Sequence, residues 1–332
     1  GVLDIRTNIL ADTDALYLTA IDKYGHELWR WTFPVNKLNQ QTEQLSPLSS
    51  RPTYTETEND LTVKANKRTF IFSKKDGQLK GVSVDNRKIS FANGPRFIGA
   101  RRADRSLDQF YNHDDEKAKE KDRTYSEFPD AAVFTKLDVK QDGGDLIVTA
   151  NYKLGNLDKA QWTINPSGDL ALDYTYNFSG VVDLMGIRFD YPEDQVISKR
   201  WLGAGPYRVW QNRIHGTQYD VWENDYNDPI PGETFTYPEF KGYFGDVSWM
   251  NIQTKEGTIS LTNETPDAYI GVYQPRDGRD RLLYTLPESG ISVLNVIPPV
   301  RNKVNSTDLC GPSSQPKWVN GPQTGRVIFR FM

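Results

Sequence analysis

The feature that most constrains the fold is a two-residue alternation of apolar and polar side chains, repeated in long stretches between turn signals. The stretch RTFIFSKKDGQLKGVSV predicts a strand at residues 68–72, a turn at Asp76-Gly77 and a second strand ending at Val84. Two later stretches repeat the design, with turns at residues 142–144 and 165–168. The strand after the last turn carries four apolar side chains on one face: Leu170, Leu172, Tyr174 and Tyr176. Repeated hairpins of this length predict an all-β fold of stacked antiparallel sheets.

Two segments interrupt the alternation. Residues 36–60 are polar and contain prolines, which predicts a connector between an N-terminal β segment and the main body. We therefore expect residues 1–57 to be the remnant of a preceding β-domain plus a linker, and residues 58–332 to form the sandwich. The N-terminal segment contains a strand pair that turns at Tyr24-Gly25 and is too short to form a domain alone. The mixed charges of residues 112–127 predict a solvated loop or one short helical turn.

Charge and cysteine content exclude several classes of protein. The formal net charge is -4, from 40 basic and 44 acidic residues, so neither a nucleic-acid partner nor a membrane partner is favoured. Cys310 is the only cysteine, so no intrachain disulfide can form and the fold must rest on packing. No run of 18 apolar residues occurs, and residues 1–20 lack the pattern of a signal peptide. The chain begins in mid-pattern at Val2, which suggests an excised fragment.

The sequence offers little for covalent chemistry. His26, His113 and His215 are far apart and lie in no zinc-binding pattern, and no nucleophile elbow or phosphate-binding loop occurs. Acidic residues such as Glu223 could supply a glycosidase pair, but spacing along a loop does not establish one. No cofactor is predicted. Asp225 and Asp228 are weak candidates for oxygen ligands to calcium, although the segment lacks the EF-hand pattern.

Aromatic residues gather instead between Trp201 and Met250, beginning with the stretch WLGAGPYRVWQNR. Sugar rings present C–H faces that pack on aromatic rings, and their hydroxyls bond to amide and guanidinium groups. This concentration therefore predicts a carbohydrate-binding surface. Trp201 and Trp249 stand in strand-like segments, which predicts that they lie in the core. The polar neighbours of Trp210 and Trp222 predict that these two rings are exposed.

The segment LMGIRFDYPEDQVISKRWLGAGPYRVWQNR resembles the C-terminal β-supersandwich domain of family 2 glycoside hydrolases, the β-galactosidase small-chain domain. Met185-Gly186-Ile187 and Pro192 match the family's first motif. Four residues match its W-x-G-x-GP motif: Trp201, Gly203, Gly205 and Pro206. The segment GPRFIGARRAD resembles an upstream motif, and SGISVLNVIPPVRN resembles a late strand, with Val293 where some members carry a sugar-contacting tryptophan.

This resemblance, over residues 61–332, implies a galactose mutarotase-like supersandwich that acts as a non-catalytic part of a glycosidase. The family's two catalytic glutamates lie in a separate barrel, so the isolated chain is expected to be inactive. The implied partners are carbohydrate and other domains of the same polypeptide, in a periplasmic or secreted bacterial protein. A stand-alone carbohydrate-binding module and a mutarotase-like epimerase are the alternatives. The candidate carbohydrate contacts are Trp210, Asn212, Arg213, Trp222, Arg101, Arg102 and Arg301.

Overall fold

The structure, a computed structural model, describes Thr13 and residues 15–35, 50–102, 125–225, 242–272, 286–299 and 311–332. The strands in these ranges are β1 (Ala15–Ile21), β2 (Glu27–Pro34), β3 (Thr53–Glu56), β4 (Asp60–Ala65), β5 (Arg68–Ser73), β6 (Leu79–Val84), β7 (Arg87–Ile89), β8 (Ala92–Arg102), β9 (Tyr125–Glu127), β10 (Val133–Asp142), β11 (Asp145–Lys153), β12 (Leu157–Ile164), β13 (Leu170–Val182), β14 (Leu184–Asp190), β15 (Val196–Gly205), β16 (Gln218–Asp225), β17 (Trp249–Thr254), β18 (Gly257–Asn263), β19 (Tyr269–Gly271), β20 (Ile291–Val296) and β21 (Lys317–Phe331). Short 3-10 turns cover Glu193–Gln195 and Pro312–Ser314.

The strands form two large antiparallel sheets and one small one. Nine strands form one sheet in the order β10-β11-β12-β13-β21-β18-β17-β15-β16. The ten-stranded sheet runs β19-β20-β14-β8-β6-β5-β4-β3, with β7 paired to β6 and β9 paired to β8. The hairpin β1-β2 stands apart as a two-stranded sheet. Within the described ranges no helix is long and apolar enough to cross a membrane.

The core lies between the two large sheets, where rings from both inner faces interlock. Phe72 of β5 meets Trp162 of β12 with ring centroids 6.0 Å apart, and Trp162 also meets Phe189 of β14 at 5.9 Å. Phe91 and Phe189 stack at 4.6 Å. The four predicted core side chains of β13 are all buried. The predicted all-β, antiparallel supersandwich is therefore confirmed, as are the three hairpins and their turns.

Two short strands lie where the sequence predicted irregular chain. β3, inside the predicted connector, pairs with β4 and forms an edge of the ten-stranded sheet. Its sequence, TYTE, alternates residues with high strand propensity, and this local preference outweighs the polarity of the segment. Likewise β9 pairs with the end of β8, because the buried Tyr125 side chain anchors it to the core. Residues 36–49 and 103–124 lie outside the described residues.

The hairpin β1-β2 contacts the nine-stranded sheet through one polar contact region. Tyr17 of β1 donates a hydrogen bond to the carboxylate of Asp220 on β16, and an Arg30 guanidinium nitrogen lies 3.9 Å from the same carboxylate. The Arg30 guanidinium also lies over the Tyr17 ring, 5.1 Å from its centroid. The anchoring side of the hairpin is therefore the side that carries Tyr17 and Arg30.

A half-buried ion pair connects β21 to the turn that precedes β13. Arg330 on β21 donates two hydrogen bonds to Asp169, at 2.6 and 2.7 Å. Burial raises the pKa of Asp169, but the hydrogen bond and charge of Arg330, with smaller contributions from Asn165 and Arg68, outweigh it and hold the pKa below its ordinary value. The ionised carboxylate therefore stabilises the fold above its unfolded-state pKa, and this contribution is lost as the pH falls through the folded-state pKa.

We expect the substitution Asp169→Asn to lower the free energy of unfolding by about 1–3 kcal/mol at pH 7, because a charge-assisted bidentate contact is lost. The difference between the two proteins should shrink below about pH 4, where the unfolded carboxyl is protonated. Urea denaturation across this pH range measures it. Asp142→Asn, at an exposed carboxylate 3.4 Å from Lys140, is the control and should change stability little. A difference that stays constant with pH would contradict the assignment.

Candidate carbohydrate-binding surface

The two tryptophans predicted to lie in the core do so. Trp201 on β15 is fully buried and donates a hydrogen bond to the carbonyl of Ala204 at 2.9 Å. Its ring packs edge-on against Phe244, with centroids 4.9 Å apart. Trp249 on β17 is also buried, and the Arg200 guanidinium lies 5.4 Å from the centroid of its ring. Both rings therefore stabilise the end of the nine-stranded sheet that carries the candidate surface.

The turn after β15 is fastened to distant parts of the chain. Val209 and Tyr243 exchange two backbone hydrogen bonds, of 2.7 and 2.8 Å. The Gln211 amide N–H donates to the carbonyl of Pro298 at 3.0 Å, and its side-chain nitrogen donates to the carbonyl of Gln315 at 2.7 Å. The Asn212 side chain lies 3.5 Å from the hydroxyl of Ser314. The turn is therefore held by three separate segments, and its side chains point in fixed directions.

The predicted exposure of Trp210 is wrong, because only 1% of the residue is exposed. Its ring packs edge-on against Tyr243, with centroids 5.5 Å apart, inside a second apolar cluster that includes Ala100 and Leu294. A side chain at Gly242 would come within 2.8 Å of the Trp210 indole nitrogen, so the glycine gives the ring its room. Two of the polar neighbours that suggested exposure, Arg208 and Gln211, are themselves buried, so local polarity misled the prediction.

Trp222 on β16 is only partly exposed: it lies opposite the buried Trp201 on the same face of the sheet and packs against the main core cluster, so its predicted exposure holds in part. Its indole lies over Gly205, where an added Cβ would come within 2.4 Å of the ring. The indole N–H donates to the carbonyl of Gln218 at 3.1 Å. This contact fixes the ring at the point where β15 enters the turn, so the second glycine of the W-x-G-x-GP motif serves to seat Trp222.

The other predicted contacts are only partly brought together. Arg213 is exposed and Asn212 is half-buried, and both lie in the turn that follows β15. Arg101 is half-buried near the end of β8, one residue beyond Ala100, which belongs to the same cluster as Trp210. For Arg102 the structure describes the backbone alone, and Arg301 lies outside the described residues.

The calcium prediction gains no support from the residues around Asp225. The Asp225 side chain is exposed, and the buried Lys199 ammonium donates a hydrogen bond to its backbone carbonyl. A cation at this carbonyl opposes the binding of a second one. Asp228 lies outside the described residues, and within the described ranges no three His, Cys, Asp or Glu side chains group as metal ligands. His215 is exposed and lies outside the core clusters.

Sequence reasoning missed a cavity of about 310 Å³ on the nine-stranded sheet, lined by β12, β13, β21 and the loop after β18. Arg326 lines it and forms ion pairs with Asp173 at 2.6 Å and with Glu264 at 3.0 Å. Lys159 adds a second positive charge. The floor includes Gly325, where a Cβ would come within 2.2 Å of the Tyr174 hydroxyl. No local motif marks this cavity, because its charged residues come from four separated segments.

Two large antiparallel sheets packed face to face around one core define the chain as an all-β sandwich protein. A family model described as the beta galactosidase small chain matches residues 64–298, so the chain belongs to the β-galactosidase small-chain family. This confirms the resemblance drawn from the motifs.

Solved structures give more distant matches. The chain is similar to galactose 1-epimerase from Lactobacillus acidophilus NCFM, with 10% sequence identity and a TM-score of 0.47 over 85% of this chain and 99% of that chain. It is also similar to the protein HI1317, with 8% identity and a TM-score of 0.35 over 85% of this chain and 100% of that chain. No curated protein matches the sequence.

Proposed function

We propose that this chain is a non-catalytic C-terminal domain of a family 2 glycoside hydrolase of the β-galactosidase type. In this proposal another domain of the same polypeptide supplies the two catalytic carboxylates, one as nucleophile and one as general acid/base. The role of this chain is to shape the active site and contact carbohydrate. Its membership in the small-chain family supports this role.

The observation that carries the proposal is the exposed apolar face of the hairpin β1-β2. The register places Leu18 opposite Trp31 and Leu16 opposite Phe33, and Trp29, two residues before Trp31, lies on the same face. The side chains of Leu18, Trp29, Trp31 and Phe33 are between 44% and 52% exposed. Alternation puts this face opposite the side that holds Tyr17 and Arg30 against Asp220. Contiguous apolar surface of this kind marks an interaction site, and the hairpin precedes the family match.

A neighbouring domain of the same polypeptide is the occupant that we propose for this face. The anchored hairpin would then join that domain to the sandwich and hold the two in one orientation. An interface between domains of one chain commonly buries roughly 600–1,500 Å², and three large aromatic side chains supply much of its apolar part.

Trp222, with Asn212 and Arg213, is the proposed contact with the sugar. A partly exposed indole offers a flat apolar surface, and the amide and guanidinium groups offer hydrogen bonds to hydroxyls. Trp210 has a supporting role in this proposal, because its buried ring holds the turn that carries the other two residues.

Hydrolysis of an aryl β-galactoside tests the proposal. We expect the purified chain to release no more aryl alcohol than a buffer blank, because in this proposal the catalytic pair lies in another domain. The complete native polypeptide should turn the same substrate over at an enzyme-like rate. A chain that folds, as judged by circular dichroism, and hydrolyses the substrate at an enzyme-like rate on its own would overturn the proposal.

A further inference from the structure

The outer face of strands β13 and β21 carries an open polar strip that the proposed function does not use. The two strands pair over thirteen positions, and their outward side chains form five successive rows. The rows pair Val181 with Trp318, Ser179 with Asn320, Asn177 with Pro322, Thr175 with Thr324, and Asp173 with Arg326. At a strand rise of about 3.4 Å per residue, the eight steps from Trp318 to Arg326 span roughly 27 Å.

One end of the strip carries an unusually exposed aromatic ring. Trp318 is 72% exposed, whereas the inward side chains of β13 are buried in the core. A ring this exposed offers a flat apolar surface on which the C–H face of a sugar can pack. The neighbouring outward residue on β13 is Val181, which extends the apolar area beside the ring.

The middle of the strip offers hydrogen-bond donors and acceptors without charge. Ser179 donates to the side-chain oxygen of Asn320 at 2.9 Å, which leaves the amide N–H groups of Asn320 for a ligand. Asn177, Thr175 and Thr324 follow along the two strands. Neutral amides and hydroxyls suit a ligand that presents many hydroxyl groups.

The other end of the strip is the charged cavity around Arg326. Its volume of about 310 Å³ is at the lower end of the range for small-ligand sites, roughly 300–1,000 Å³. Two positive side chains, Lys159 and Arg326, balance two negative ones, Asp173 and Glu264. The bonds from Arg326 to both carboxylates fix these groups in place. A balanced set of fixed donors and acceptors favours a neutral polar ligand over an anion or a metal ion.

We propose that this strip binds a neutral oligosaccharide, with one sugar ring on Trp318 and another in the cavity around Arg326. The site is separate from the surface around Trp222, and it binds whether or not another domain supplies catalysis. Such a site would hold a polysaccharide chain near the protein while a different part of the molecule acts on it.

Calorimetric titration of the full chain with neutral galacto-oligosaccharides of increasing length tests the proposal. We expect affinity to rise with length and to change little between low and high salt, because the ligand is neutral. Trp318→Ala should weaken binding by about three- to tenfold, the effect of losing one aromatic contact. Tyr24→Ala removes a similarly exposed ring, 73% exposed, from the distant hairpin and should leave the affinity unchanged.

Two further variants separate this strip from the surface around Trp222. Lys159→Ala, at an exposed side chain in the cavity, should weaken binding of the longer ligands and leave the shortest unaffected. Trp222→Ala should have no effect on this binding. The proposal for the strip would be overturned if no ligand bound. It would also be overturned if Trp222→Ala removed the binding and Trp318→Ala did not. The second result would leave the function proposed for the Trp222 surface intact.

Discussion

Replacing Trp210 with alanine should destabilise the protein by about 3–5 kcal/mol, the usual cost of removing a buried aromatic ring. The ring packs against Tyr243 and contributes to the cluster that joins the turn to β8 and β20. Its loss leaves a cavity that the surrounding backbone cannot close, because Val209 and Tyr243 are already paired. Urea denaturation followed by fluorescence and circular dichroism measures the change.

Trp318→Ala is the matched control for this experiment, because it removes the same ring from an exposed site. It should change the free energy of unfolding by no more than about 0.5 kcal/mol. If Trp210→Ala proved as mild as this control, the ring would not belong to the core, and its sequence-based assignment as a surface contact would stand again.

Gly186→Ala should cost about 3 kcal/mol or more, or prevent folding, although it adds a single methyl group. Gly186 lies on β14, between β8 and β20, and belongs to the first motif that resembles the family. A Cβ there would lie 2.2 Å from the carbonyl oxygen of Val293 and 2.7 Å from the Cα of Leu294. Both are backbone atoms, so no side-chain rotation relieves the overlap and β20 must move away.

Gly81→Ala is the control for this substitution. Gly81 also lies on a strand, β6, but an added Cβ would meet nothing within 4 Å. Alanine there should leave stability unchanged or raise it by up to about 1 kcal/mol, because glycine loses more backbone freedom on folding. Thermal unfolding of both variants decides the point. Equal unfolding temperatures would mean that the spacing between β14 and β20 is not what requires a glycine at position 186.

The architecture was predictable because it rests on local signals. Turn residues such as Asp76-Gly77 fix hairpins, and a period of two fixes which side chains face inward. The burial of Leu170 and Leu172 follows from this period alone. The family could be identified for a similar reason, since the glycines of its motifs are spaced along single strands and turns.

The candidate site was less predictable because it depends on contacts between distant segments. Trp210 is buried by Tyr243 and Leu294, which lie 33 and 84 residues further along the chain. The cavity around Arg326 combines residues from four elements, and none of them has a local signature. Trp222 keeps part of its predicted exposure because β16 is an edge strand, although its register opposite Trp201 turns the ring toward the core.

The length of the native polypeptide is the first property to measure, because we propose that this chain is the accessory domain of a larger glycosidase. Intact mass spectrometry of the native protein that contains the peptide ISVLNVIPPVR would measure that length. We expect a polypeptide much longer than 332 residues, with a further domain that carries two catalytic carboxylates. A native protein of 332 residues that is folded and active on its own would contradict it.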